Sequence, residues 1–354
     1  YYYGYKCCQE QNTKVRFVDK NGKWGVENGE WCGIVSQRNN WIKPWKQFED
    51  MQNFENSSES EEDQDQEDQK NIEVGTEDYM SKLQVVNICP DNYRKMHEGV
   101  EYPTVKKITY YSKVTETERE MNIAFPVGYD ENKKYPVLYF LHGLMHDEDA
   151  MLEDESSLAI PTNLLNEGRA EEMIIVFPDI YAPEPGTAVE PDYNPQYYLG
   201  YDNFINEIAD VIMPYMAEHY PVLTGRENTA ICGFSMGARA SLHIGYMRSD
   251  LFGYVGSFAP APGITPGEDS FSGKHPGLIS EDEFRAEVPH IVSLIDCGTN
   301  DTVVGQFPKS YHEILTRNNQ EHIWFEVPGA DHDWNAISAG LYNFVQTLFG
   351  ALNN

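Results

Sequence analysis

Basic residues are scarce: 26 Lys and Arg stand against 57 Asp and Glu in 354 residues, a formal charge of −31. A groove that tracks phosphates needs clustered Lys and Arg, and no such cluster occurs, so nucleic acid is excluded as a partner. The same deficit argues against an anionic membrane surface, and no apolar run approaches the roughly 20 residues that span a bilayer. Motifs of the H-E-x-x-H, G-x-G-x-x-G and Walker types are missing, and His142 and His146 lack a third ligand in reach. No metal and no nucleotide cofactor is therefore expected. Residues 19–30 carry an acid at each end of a calcium-loop window, but Lys23 and Trp24 stand where a ligand and a Gly are needed, which disfavours calcium. The start, YYYGYKCC, has no charged-then-apolar leader, so no signal peptide is visible. What is present is a 40% hydrophobic and 13% aromatic composition, enough for a sizeable core in one large domain with something smaller beside it.

Cysteine is used unevenly. Cys7, Cys8 and Cys32 crowd into the first stretch, whereas Cys89, Cys232 and Cys297 are scattered. A short polar segment cannot bury a core of its own, so the first three read as part of a disulfide framework. That favours a secreted protein, with the odd count leaving one partner elsewhere or one thiol free. The scattered three read as buried free thiols. Two strand spacings, about 9.6 Å, would separate Cys232 from Cys297, too far for a bridge.

Residues 56–70, NSSESEEDQDQEDQK, contain no apolar residue and seven carboxylates. Like charges at this density repel, and nothing there can be buried, so an extended disordered spacer is expected over residues 35–76. Asn56-Ser57-Ser58 is a glycosylation sequon within it. From residue 77 onward, short and nearly all-apolar runs alternate with amphipathic helical patterns. The runs 135–142, 173–178, 229–233, 254–259, 291–297 and 322–327 read as strands buried on both faces. Helices are expected over 204–220, 238–247, 308–317 and 336–349. The first has Ile205, Ile208, Ile212, Tyr215 and Met216 on one stripe, with Glu207 and Asp210 opposite. Segments 105–112 and 119–126 alternate more and suit an antiparallel edge. The pattern predicts a doubly wound, mostly parallel α/β domain over 77–354.

The chemical signal is Gly233-Phe234-Ser235-Met236-Gly237, between the strand TAIC and the helix ARASLHIGYM. A nucleophilic Ser needs a sharp strand-to-helix turn that lifts its hydroxyl above the sheet, and the glycines clear space for that turn. By composition, G-x-S-x-G arises by accident roughly 0.1 times in such a chain, so its placement matters more than its presence. The hydroxyl needs a base, and the base an orienting carboxylate, in chain order Ser, Asp/Glu, His. Asp301 follows the strand IVSLIDC, and His332 follows HIWFEV. Asp296 lies inside its strand and reads as structural. Asp331 and Asp333 adjoin the His, too close in sequence to orient it. His312 and His322 read as packing or surface residues. For the oxyanion, the N–H of Met236 is one expected donor. The second comes from the loop after residue 141, with Leu144 preferred over Gly143 and His142 supporting the turn.

Together LHG, GFSMG, DCGTND and GADHDW, in this order and spacing, resemble the feruloyl and acetylxylan esterases of carbohydrate esterase family one. The resemblance covers roughly residues 80–354. It implies an α/β-hydrolase fold and ester hydrolysis, with Ser235, Asp301 and His332 matching the family triad and Trp334 at the mouth or in the packing. S-formylglutathione hydrolases share the superfamily. GYKCC with DKNGKWGVENGEWCGI, over about residues 1–34, resembles the Cys-rich dockerin of fungal cellulosome enzymes, related to a type-ten carbohydrate-binding module. Tyr5, Trp24 and Trp31 would then form a binding face or a small core. The two resemblances together imply a secreted enzyme on a flexible tether to a scaffold protein. It would remove feruloyl groups from arabinoxylan. Acetylxylan esterase is the rival within enzymes, and a non-catalytic carbohydrate-binding or scaffold protein the rival outside them.

Overall fold

The structure, a computed structural model, describes residues 17–19, 22–27, 30–34, 82–269 and 273–353. Its contacts divide the chain into two units, Tyr1–Asn71 and Ile72–Asn354. In the first, β1 (Phe17–Asp19), β2 (Gly22–Glu27) and β3 (Glu30–Ile34) form an antiparallel three-stranded sheet. Its register sets Trp24 against Gly33 and Trp31 against Val26. Tyr5, Cys7, Cys8, the acidic spacer and the Asn56 sequon lie outside the described residues.

The second unit is built on an eight-stranded sheet whose strands lie side by side in the order 323–327, 292–298, 254–258, 229–234, 137–141, 174–178, 117–125 and 104–112. The outer pair, β4 (Thr104–Ser112) and β5 (Thr117–Phe125), is antiparallel, as the alternating sequence there predicts. Six strands run parallel: β6 (Val137–Leu141), β7 (Ile174–Pro178), β8 (Thr229–Phe234), β9 (Tyr254–Phe258), β12 (Val292–Gly298) and β13 (Ile323–Val327). The all-apolar runs are the central strands, buried on both faces because helices cover both. In β6, Val137, Tyr139 and Leu141 enter one core while Leu138 and Phe140 enter the other. Helices α1 (Ser156–Asn166) and α7 (Trp334–Val345) cover the second core. Over the first lie α2 (Pro195–Asp202), α3 (Phe204–Glu207), α4 (Met213–His219), α5 (Met236–Met247) and α6 (Phe307–Arg317).

Two departures from expectation have physical causes. The 204–220 helix is interrupted by a π-turn at Ile208–Ile212. Pro214, near the start of α4, has no N–H to donate and its ring crowds the preceding turn, so the ladder slips by one residue there. Glu207, expected on the solvent side, is instead fully buried. The outer strands cover that face, and Glu207 accepts hydrogen bonds from Tyr110 at 3.0 Å and Ser112 at 2.5 Å and pairs with Arg119 at 3.3 Å. Helix α1 was not legible as a helix, since Pro161 and its Ser pair disguise a segment whose first nine residues are all buried.

Candidate active site

Ser235, Asp301 and His332 sit beyond the carboxyl ends of parallel strands, where loops open a crevice over such a sheet. Ser235 occupies the turn between β8 and α5 with φ 56° and ψ −115°, a conformation that L residues adopt only under constraint. The constraint is visible. Ser235 donates its N–H to Phe258 O at 3.1 Å, and its own carbonyl accepts from Arg239 at 2.9 Å and Ala261 at 3.0 Å. The flanking glycines are required by space: a Cβ on Gly237 would strike the Leu141 and His142 carbonyls, and one on Gly233 the Gly237 backbone. The turn therefore delivers the serine hydroxyl and the N-terminal N–H of α5, that of Met236, to one spot.

Asp301, on the loop after β12, has a side chain fully shielded from solvent. Its Oδ1 accepts the N–H groups of Val303 at 2.9 Å and Val304 at 3.1 Å. Its Oδ2 lies 2.7 Å from His332 Nδ1. The Phe234 ring packs on the His332 ring at 4.4 Å between centroids. Asp333, the sequence neighbour, is occupied elsewhere as the cap of α7, accepting from Asn335 N at 2.9 Å. His312 and His322 bond to each other at 2.8 Å.

Ser235, Met236, Leu144 and His332 line one cleft of about 360 Å³. Among the described residues nothing accepts the Leu144 N–H, whereas that of the next residue, Met145, is donated to Tyr201 at 2.9 Å. Trp334, half-buried at the start of α7, packs against the second core and is not among the cleft-lining residues. The walls come instead from Tyr193, Tyr198, Met145, Pro262, Val303 and Asp269. None of these carries a sequence motif, because they come from separate segments, Tyr198 from α2 and Asp269 from the short strand β10 (Gly267–Asp269), that only the fold brings together. A larger surface groove of about 870 Å³, beside β4 and α4, has no serine among its lining residues. The smaller cleft is the one that Ser235 and His332 line.

The three scattered cysteines are free and buried, with β9 between the strands of Cys232 and Cys297. Burial pushes the Cys89 thiol up to about 12, so it is inert at neutral pH. Asp296 is fully buried in β12 between Phe258 and Phe325, with neither carboxyl oxygen hydrogen-bonded. Desolvation, with Asp301 nearby, holds its acid form well above the usual carboxylate range. Between the unfolded value of about 3.9 and this raised value, the folded state keeps a proton that the unfolded state loses, so stability falls as pH rises. Asp296→Asn removes that dependence. The variant is expected to melt a few °C above the parent at neutral pH, by a margin that widens as the pH rises above the unfolded carboxyl value. Scanning calorimetry at several pH values checks this, and a margin that narrows with pH contradicts it.

A mostly parallel sheet with a serine at its strained elbow, and an Asp–His pair on the loops of two neighbouring strands, defines a serine hydrolase of the α/β-hydrolase fold. The chain belongs to the putative esterase family, which matches residues 112–352. Residues 1–34 match a cellulose or protein binding domain. A CE1 ferulic acid esterase from Anaeromyces mucronatus, solved in complex with ferulic acid, is 83% identical, with a TM-score of 0.76. The match covers 77% of this chain and 100% of that one. Feruloyl esterase B of Piromyces equi is 49% identical over 37 residues, 10% of this chain and 7% of that protein. An endo-1,4-beta-xylanase/feruloyl esterase of Xylanibacter ruminicola is 24% identical over 169 residues, 46% of this chain. The chain thus spans 7% and 22% of the length of these two curated relatives. Among the described residues no helix is long and apolar enough to cross a membrane.

Proposed function

We propose that the protein is a feruloyl esterase that cleaves hydroxycinnamoyl esters of plant cell-wall arabinoxylan. The observation that carries this reading is the cleft beside Ser235. At about 360 Å³, walled by Tyr193, Tyr198, Met145 and Pro262, it is sized for an aromatic acyl group rather than an acetyl. The 83% identity to a ferulic acid esterase supports the same acyl group.

In this mechanism His332 takes the proton of the Ser235 hydroxyl as its oxygen attacks the ester carbonyl. Asp301, on the opposite ring nitrogen, holds the tautomer and stabilises the imidazolium. The oxyanion rests on the Met236 and Leu144 N–H groups. The carbon–oxygen bond to the sugar then breaks, and the alcohol leaves with the proton from His332. Water gives a proton to His332 and attacks the acyl-serine, and ferulate departs as the proton returns to Ser235.

The three-part layout belongs to the same reading: a docking module at 1–34, an acidic spacer at 35–76 and the esterase at 77–354. Tyr5, Trp24 and Trp31 form the module's binding face toward a scaffold protein, and the enzyme works outside the cell, its cysteine-rich module held by disulfides. The match of residues 1–34 to a cellulose or protein binding domain supports this. So does the similarity to enzymes such as Endoglucanase B of Neocallimastix patriciarum, 61% identical over 37 residues.

The test of substrate is kcat/KM on methyl ferulate against p-nitrophenyl acetate. At least tenfold preference for the ferulate, after allowing for the better leaving group of the acetate, is expected. Turnover of acetate alone assigns a deacetylase, and no turnover of either assigns a binding role.

A further inference from the structure

The loop that carries Leu144 has a fixed orientation, and one buried side chain accounts for it. His142 directly follows β6 and is 1% exposed. The Ile180 N–H points at His142 Nε2 from 2.9 Å. A nitrogen that receives an N–H must offer a lone pair, so the ring proton sits on Nδ1. That Nδ1 is 2.7 Å from the carbonyl oxygen of Gly143 and donates to it.

The Gly143 carbonyl and the Leu144 N–H belong to one peptide unit. In a planar trans unit the two groups point in opposite directions, and the described residues contain no cis peptide. Tying the carbonyl down toward His142 therefore turns the Leu144 N–H the other way, and Leu144 lines the cleft with Ser235. On the far side, Met145 takes a left-handed φ of 64° and its N–H is held by the buried Tyr201 hydroxyl. The peptide is clamped at both ends.

His142 is itself held in place. Arg119 donates to the Asp179 and Tyr181 carbonyls at 2.7 and 2.8 Å, which fixes the segment that presents the Ile180 N–H. The Asp179 carboxylate stands 3.4 Å from both Arg119 and His142 Nε2. Arg119 pairs in turn with the buried Glu207. Burial works against the charge on Asp179, yet Arg119 and the Tyr181 N–H, donated to its Oδ1 at 2.9 Å, hold it below the usual carboxylate range.

We propose that His142 is a positioning residue for the oxyanion hole, its Nδ1–H aiming the Leu144 N–H by fixing the Gly143 carbonyl. The inference rests on Leu144 being an oxyanion donor. It distinguishes two near-isosteric replacements. In His142→Asn the amide nitrogen occupies the place of Nδ1 and can still donate to Gly143. In His142→Gln the amide reaches the place of Nε2, keeping a partner for Ile180 but leaving the Gly143 carbonyl without a donor.

His142→Gln is expected to lower kcat on methyl ferulate by about 10²–10³-fold, the effect of losing one oxyanion donor, with KM within about threefold. Its affinity for an arylboronic acid, which forms an anionic tetrahedral adduct on Ser235, should fall in step with kcat, while that for product ferulate stays put. His142→Asn should recover most of the lost kcat. Thermal melting of each variant separates these effects from loss of folded protein. Wild-type kcat in His142→Gln, or an equal loss in His142→Asn, overturns the inference, as does a loss confined to KM and melting temperature. A wild-type protein inert toward every ester overturns the esterase reading itself.

Discussion

Ser235→Ala is expected to lower kcat on methyl ferulate by on the order of 10⁵–10⁶-fold, since loss of a nucleophile costs nearly as much as loss of a whole triad. The fold should not notice. The strained φ of 56° is set by three backbone hydrogen bonds, one donated to the Phe258 carbonyl and two accepted from the Arg239 and Ala261 N–H groups, none of which uses the hydroxyl. Alanine tolerates that conformation no worse than serine does, so the melting temperature should stay within about 2 °C of the parent. Covalent labelling by a fluorophosphonate should vanish together with turnover. More than a few per cent of residual activity would remove Ser235 from the role of nucleophile.

Asp301→Asn is expected to lower kcat about 10⁴-fold, through the histidine tautomer rather than through charge alone. The structure dictates which way the new amide faces. Oδ1 of Asp301 receives two backbone N–H groups, from Val303 and Val304, and only an oxygen can take that place. The amide nitrogen must then face His332 Nδ1, now 2.7 Å from a donor. The ring has to offer a lone pair there and carry its proton on Nε2, where it cannot accept the serine proton. Because the loop keeps its two hydrogen bonds, the variant should fold and bind substrate with KM little changed. Asp333→Asn is the control: that side chain caps α7 and does not touch His332, so its effect should appear in stability, by about 1 kcal/mol or less, and not in kcat. If Asp333→Asn proves the inactive one, the carboxylate assignment is reversed.

Much of this site is legible in the linear chain because its chemistry imposes spacing. G-x-S-x-G between an apolar strand and a helix already specifies a tight turn. A strand followed by Asp301 and a later strand followed by His332 places both at the same edge of a parallel sheet. Strand positions are legible for a related reason: burial on both faces leaves only Val, Ile, Leu, Phe and Tyr in runs such as VLYFL, whatever the register. Helix α1 escapes this logic, since its buried face includes Ser156, Ser157, Pro161 and Asn163, and Asn163 finds its partner in the distant Tyr93 carbonyl. So does Glu207, whose place on a polar stripe gives no hint that Arg119, Tyr110 and Ser112 wait on an outer pair of strands.

The sequence by itself determined the α/β class, the order of Ser235, Asp301 and His332 at successive strand ends, and the compositional break that sets the acidic stretch apart. Each follows from local rules of periodicity, turn geometry and like-charge repulsion. Tertiary structure alone decided three things: which walls face Ser235, that Asp296 is a buried acid beneath the site, and that the His142 ring turns toward Gly143. These depend on loops from different strands meeting at one sheet edge. Hydrogen-bond direction across such a meeting is set by three-dimensional neighbours, which no spacing along the chain encodes.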